Sequence, residues 1–434
     1  MRDDETTRRQ ALKTMLGGAT LLGSASLLGA CAGSSSDSLN ATSAITPGGK
    51  NAGAPSNTDG LPPTTPVKAA LILPLGGSIQ MSLVAKGLQQ AAELSLFERS
   101  APNLQLVVRD DKGTPQGAAE AAMTAIADGC EIILGPLLGT SVAAAAPIAR
   151  QANVPVIAFS NEPANGGHGV HLLSFFASAE ASRAVGHVLS QGRRHIAALI
   201  PDGPLGRDTE PAFRQAVEAG GGRIAVIEHY PAHLSGMMEP AQKVMDAISG
   251  SADSEQPIDA LFLPASGDSV GRLAAMLRRH DLDTSRVKLI VSSGFDNPAA
   301  FREPKLAGAL LASADPGGWR EFSARFAKAY NVMPPRLATL AYDAVTVAAA
   351  FASQPKGQRY TPANLMRGQG FAGIDGGFRF TAAGPIERSL AVLEIQPQGL
   401  VTVAAASGFT PALTGPAGGA TGTGGTASAG VARG

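Results

Sequence analysis

Between Val67 and Glu162 the chain alternates short apolar runs with stretches of helical spacing, and few folds accommodate that order. The apolar runs occupy residues 67–73, 104–108, 131–134 and 154–159. The helical spacers occupy 79–99, 115–128 and 139–152. The runs do not alternate polar with apolar positions, which fits strands buried on both faces. Strand–helix repeats of this kind build parallel sheets with right-handed crossovers. Such sheets bind ligands outside the carboxyl ends of their strands, against helix N-termini. Here those ends carry residues 74–77, 110–113, Gly135-Pro136 and 160–162, which makes them the first candidates for recognition.

The same rhythm continues further along. Helical spacing over 178–191, 208–219, 237–249 and 269–280 alternates with apolar runs at 195–200, 223–230, 259–263 and 287–291. A chain of 434 residues has room for two such units. Residues 170–175 read as the first crossing to a second lobe, and 306–313 as a strand returning to the first. Helices over 318–330 and 335–352 would cover that first lobe. Thr361 would cap a short helix, and 376–380 with 389–396 would close as a hairpin. The expected division is residues 67–170 plus about 308–360 in lobe 1, and about 171–307 plus 361–405 in lobe 2.

The flanks have another character. Residues 1–31 read as a processing segment, with Thr7-Arg8-Arg9-Gln10-Ala11-Leu12-Lys13 resembling a twin-arginine export signal. Leu28-Gly29-Ala30-Cys31 resembles a bacterial lipobox, which implies lipidation of Cys31 and anchoring of the chain to a membrane. Ala32 after it implies the outer membrane, by likeness to lipoprotein sorting. Residues 32–66 and 406–434 carry too little apolar mass to order themselves, and read as a tether and a Gly/Ala/Thr-rich tail.

Composition removes several functions. The 35 Lys+Arg balance 35 Asp+Glu, and without the leader the balance is 31 against 32. A nucleic-acid-binding domain would be basic. Aromatic residues make up 5% with one tryptophan, Trp319, which argues against a pocket that stacks sugars or flat rings. With Cys31 lipidated, Cys130 has no disulfide partner and is expected to be a small buried hydrophobe. Gly76-Gly77 lacks a phosphate-binding pattern and reads as a tight turn. Asp110 and Asp111 read as polar loop residues near a helix that Thr114 caps and Pro115 opens. The pairs His168/His171 and His229/His233 lack a Cys or carboxylate set of metal-site form. No hydrolase, metalloprotease or kinase motif occurs, so no cofactor, metal or catalytic residue is expected, and a nucleophile–base arrangement for a hydrolase is missing.

Several stretches in order carry a family resemblance: residues 109–115, Gly135-Pro136-Leu137-Leu138, Ala146-Pro147, 154–161, 201–206, Ala341-Tyr342-Asp343-Ala344-Val345 and 373–380. Over roughly 67–403 the chain resembles the type 1 periplasmic-binding-protein fold, in its branched-chain-amino-acid-binding branch. The resemblance implies an α/β protein of two lobes, each a mostly parallel sheet flanked by helices, joined by hinge crossovers. The direct passage from 97–102 into the second strand and the Leu71-Ile72-Leu73-Pro74-Leu75 stretch are most similar to the penicillin-binding protein activators. These are outer-membrane lipoproteins that stimulate a peptidoglycan synthase. Leu205 stands where transport binders commonly have an aromatic residue.

Two functions follow as expectations. The first is a non-enzymatic, lipid-anchored regulator whose partner is a class A penicillin-binding protein. The second is a solute receptor that delivers an amino acid or small amide to the permease of an ABC importer. In the second, Thr140, Ser141, Ser160 and Asn161 would hold a carboxylate, and Asp268 or Asp296 of the second lobe would take an ammonium group.

Overall fold

The computed structural model describes residues 66–101, 103–231, 236–267, 269–296 and 298–407, which all belong to one compact unit of the chain. The expected leader with Cys31, the tether up to residue 65, Asp268, His233 and residues 408–434 lie outside the described residues.

Lobe 1 begins with β1 (Val67–Leu73), α1 (Ile79–Glu98), β2 (Leu104–Asp110), α2 (Pro115–Ala127), β3 (Ile132–Leu134), α3 (Gly139–Gln151), β4 (Val156–Ala158) and β5 (Val170–Leu172). All five strands are parallel, in the order β2-β1-β3-β4-β5. The sheet is apolar because helices cover both faces: Ala69 to Leu73 and Ile132 to Leu134 are completely buried. Each Leu or Ile among them contributes about 1.5–3 kcal/mol on burial. Turn chemistry sets the helix starts. The Thr114 hydroxyl accepts the Gly117 N–H and Pro115 takes the first helical position of α2. The winding reverses at β1, which has β2 on one side and β3 on the other. The loops after β1 and β3 therefore part and leave a crevice between them.

Lobe 2 follows with α4 (Ala177–Ser190), β6 (His195–Pro201), α5 (Pro204–Ala219), β7 (Arg223–Tyr230), α6 (Met238–Ser251), β8 (Ala260–Leu263), α7 (Ser269–Arg279), β9 (Lys288–Val291), α8 (Pro298–Phe301) and β10 (Leu310–Ser313). The chain then re-enters lobe 1 with α9 (Pro316–Tyr330), α10 (Ala338–Phe351) and α11 (Pro362–Leu365). It continues through β11 (Phe371–Gly373), β12 (Gly376–Arg379) and β13 (Glu387–Arg388), and ends in lobe 2 with β14 (Leu390–Gln396) and β15 (Gly399–Ser407). The second sheet runs β15-β14-β10-β9-β8-β6-β7.

Three expectations about the crossings need correction. The strand read as returning to lobe 1 is β10, which pairs with β9 and β14 in the second sheet, so residues 308–313 belong to lobe 2. Residues 361–388 do not belong to lobe 2, because Leu365, Phe371, Phe378, Phe380 and Ile386 pack into the lobe 1 core. Residues 376–380 and 389–396 form no hairpin: β12 pairs with β11 and β13, whereas β14 pairs with β10 and β15. The final strand β15, turned by Gly399 at φ +130°, was not anticipated. The reason is common to all of these. A run of apolar residues announces a strand, but its composition does not say which of two similar sheets it joins.

Helix α10 is buried on nearly every side, against α1 in particular, and small residues permit the approach. Gly87 of α1 lies under Pro335, where a Cβ would come within 2.3 Å of the proline ring. Gly135 is the tighter case. It has φ +92°, and a Cβ there would stand 2.1 Å from the Ile72 carbonyl oxygen. Gly135→Ala is expected to destabilise the protein by about 2–3 kcal/mol. The loss should appear as a lower urea midpoint with an unchanged slope; a midpoint equal to the parent's refutes the steric account.

Candidate functional site

The crevice at the switch point holds a cavity of about 420 Å³. Ser78, Gln80, Met81 and Val84 reach it from the start of α1. Leu137 and Leu138 follow β3, Phe159 and Asn161 follow β4, and Ser174 and Phe175 lie on the first crossover. The lining is largely apolar, and it gathers two phenylalanines despite the low aromatic content of the chain. Ser174 Oγ is spent on the Phe159 carbonyl at 3.0 Å. A smaller cavity of about 220 Å³ lies at the amino ends of β8 and β9, away from the crossovers, with Asp259, His280 and Asp283 among its lining.

The expected carboxylate anchors do not converge on this cavity. Thr140 is exposed in the first turn of α3, and Leu138 is the N-cap without a side-chain hydrogen bond. Ser141 is fully buried: its Oγ and Asp111 Oδ2 face each other inside lobe 1 without a well-formed hydrogen bond to any group. Ser160 is buried, and its Oγ accepts the Glu162 N–H at 3.2 Å. Asn161 does line the cavity. Asp296 keeps an exposed surface at the end of the 3₁₀ turn Ser293–Phe295. Enough protein surrounds its carboxyl that desolvation raises the pKa, with Arg336 opposing.

Where a ligand carboxylate was expected, the chain places its own acid. The Glu162 carboxyl lies 2.2–2.3 Å from the position that a Cβ on Gly139 would take, so a side chain at 139 would displace it from the start of α3. Asn165 Nδ2 holds it there, donating to Glu162 Oε2 at 3.2 Å and to the Gly139 carbonyl at 3.1 Å. A carboxylate in the first turn suits the helix dipole. It also repels any second anion at that end.

Asp111 departs from the reading as a solvated loop residue. It is buried, Oδ1 accepts the Gly113 N–H at 2.8 Å, and desolvation raises its pKa against that bond and the nearby Ser141 hydroxyl. Asp110 is the exposed member of the pair and accepts the N–H groups of Gly76 and Lys112. His171 is buried beside the Phe380 ring, and desolvation lowers its pKa to about 4, so it is neutral at pH 7.

Sequence reasoning missed the residues behind the cavity. The Arg336 guanidinium lies 4.6 Å from the Phe175 ring centroid and 4.8 Å from that of Trp319. It is held in a fork by Asp375, with contacts of 3.0 and 2.5 Å, and Thr339 donates to the same carboxylate. Arg388 stands 5.1 Å from Phe175 and donates to the Asp375 carbonyl. Asp343, in the Ala341-Tyr342-Asp343 stretch, is buried and accepts the Ile374 N–H; desolvation raises its pKa to about 7, while Arg388 opposes. The buried acid in that helix was the one available signal. An isolated Arg after Pro334-Pro335 carries none.

The profile of the family described as periplasmic binding protein matches residues 66–400. The chain belongs to the periplasmic binding protein family. Solved structures agree in fold. A putative branched-chain amino acid ABC transporter protein from Rhodospirillum rubrum is 21% identical with a TM-score of 0.68, over 78% of this chain and all of that one. A solute-binding protein of an ABC transporter from Rhodopseudomonas palustris, in complex with 3,4-dihydroxybenzoic acid, is 22% identical with a TM-score of 0.55, over 78% and 96%. A leucine-binding protein from Thermotoga maritima is 20% identical with a TM-score of 0.52, over 78% and 98%. At such identities the likeness shows the fold. No curated protein matches the chain. Members of this family are periplasmic and bind small solutes, typically without catalysing a reaction.

In this periplasmic binding protein, burial makes Asp111 harder to ionise, so what its neutral form contributes to stability is present in acid and lost as pH rises through its folded pKa. Asp111→Asn cannot ionise. Its stability relative to the parent is expected to grow with pH and then level off, in urea midpoints taken from pH 4 to 8. A difference that shrinks with rising pH contradicts this.

Proposed function

We propose that the chain is a lipid-anchored, non-enzymatic protein of the cell envelope whose binding-protein-like body regulates peptidoglycan synthesis by contact with a class A penicillin-binding protein. One observation carries the choice against amino-acid delivery. The hydroxyls suited to an amino acid's carboxylate, those of Ser141 and Ser160, are turned into lobe 1, and Glu162 occupies the first turn of α3 beside Gly139. A zwitterionic ligand that brought its carboxylate to the start of α3 would meet the Glu162 carboxylate there, and like charges repel. The body then serves as a contact module. The lipobox at Cys31 and the tether over residues 32–66 support this reading, because an outer-membrane protein needs reach to meet a synthase of the inner membrane. The full-length lipidated protein is expected to accelerate glycan polymerisation or crosslinking by a cognate class A synthase in reconstituted membranes. If no such synthase from the same cell responds, the proposal is wrong.

A specific observation favours a second reading. The cavity lining includes Phe159 and Phe175, and the part-exposed guanidinium of Arg336 lies 4.6 Å from the Phe175 ring centroid. A small aromatic acid would bury its ring there and present its carboxylate to Arg336, in a receptor that serves an ABC permease. The 3,4-dihydroxybenzoic acid in one structural relative is of this class. Thermal unfolding with a panel of benzoates and amino acids separates the readings. A ligand at a hundred times its Kd adds about 2.7 kcal/mol of stability. A benzoate-only shift that Phe175→Ala abolishes supports the receptor, and a shift with leucine or another free amino acid overturns the argument from Glu162.

A further inference from the structure

The polar cluster at the crossovers is built across the two lobes, and one member stands out by geometry. Glu180 lies in the first turn of α4, the first helix of lobe 2, yet is 92% buried by its 8% exposure. Ser293, on the loop after β9, hydrogen-bonds to it through side chain and backbone. Its Oε2 reaches no partner. Arg336 and Arg388 face it from the lobe 1 side of the crossovers, and Asp208 faces it from α5. β10 brings no titratable side chain, while Glu394 of β14 is paired with Lys288 of β9. Neither arginine is available to neutralise Glu180. Arg336 is forked on Asp375, and Arg388 lies nearest Asp375 and Asp343. Arg388 Nε and Nη2 and the neighbouring Ser389 Oγ are likewise buried without partners. Buried polar groups are normally satisfied. A cluster of unsatisfied ones at the chain crossings marks a contact made to open.

We propose that Glu180 is a proton-operated latch between the lobes: protonated, it beds into the crossover cluster and holds the lobes in the arrangement seen here, and ionised, it draws water into the hinge and lets them part. The direction follows from burial. Desolvation holds Glu180 at about 7 in this arrangement, against an ordinary value of 4.5 once water reaches it. The latched form therefore binds the proton more tightly. Latching is favoured in acid, weakens as pH climbs from about 4.5 to about 7, and changes little above that.

Trp319, the only tryptophan, stacks on Arg336 and reports on the cluster from within. The lobes can be followed by double electron–electron resonance between spin labels at Ile79→Cys, after β1, and Asp202→Cys, after β6. The full-length chain would carry Cys31→Ser, and Cys130 is buried. Between pH 4.5 and 8 the label distance is expected to lengthen with rising pH, with a matching change in Trp319 emission. Glu180→Gln keeps a neutral hydrogen-bonding group, so it should stay at the short distance throughout. A distance that does not respond to pH in the parent overturns the latch. So does a Glu180→Gln protein that follows the parent, since another acid, such as Asp343, would then be responsible.

Discussion

The crossovers depend on one ion pair, between the buried Asp375 and the part-exposed Arg336. Asp375 has no exposed surface, and the Arg336 fork together with the Thr339 hydroxyl satisfies it. Removing Arg336 would leave the buried Asp375 carboxylate without its counter-charge, at a cost that solvent around the part-exposed guanidinium holds below that of a fully buried pair. The consequences extend past the pair. Asp375 occupies the turn between β11 and β12, and Asp343 takes the N–H of Ile374 in the same turn. Arg336, fixed by Asp375, supports Phe175 on one side and Trp319 on the other. Phe175 is cavity wall and crossover at once. The position of the binding surface is thus tied to a turn remote from it in sequence.

The strand–helix rhythm was legible because local rules suffice for it. The apolar run of β1, the Thr114 cap and Pro115 at the head of α2 are each readable within a few residues. The crossovers were not, because β10 and β14 are largely apolar runs like those of lobe 1, and composition does not name their partners. The site failed for a different reason. Residues Thr140 and Ser141 are neighbours in a helix, so their side chains point about 100° apart. One faces water and the other Asp111, and no hydroxyl announces which. Phe175 and Arg336 meet over 161 positions of separation, which no spacing rule could link.

Glu162 shows how a fold can retain a binding geometry and change what it will bind. The helix N-terminus of α3 still offers its dipole, and glycine at 139 still gives close access. The charge that takes advantage is part of the chain. Anchored by Asn165, it needs no ligand to be satisfied. The remaining recognition surface is largely apolar, with polarity from Ser78, Gln80 and Asn161, and Arg336 stands behind Phe175. Such a surface selects for shape and ring character before it selects for charge.

Unsatisfied buried groups sharpen the distinction between the lobes and the join between them. The strands of both sheets carry the apolar cores. Unpartnered atoms also occur inside the lobes, at Asp111 and Ser141 for example, and those of Glu180, Arg388 and Ser389 lie where the chain crosses. Each orphan costs about 1–3 kcal/mol relative to a satisfied group. The share of that cost borne at the crossovers lowers the free energy of separating the lobes. Local stability differences of this size decide which part of a protein moves. In the latch proposed above, the crossovers are the part that moves first, and each lobe keeps its own apolar core.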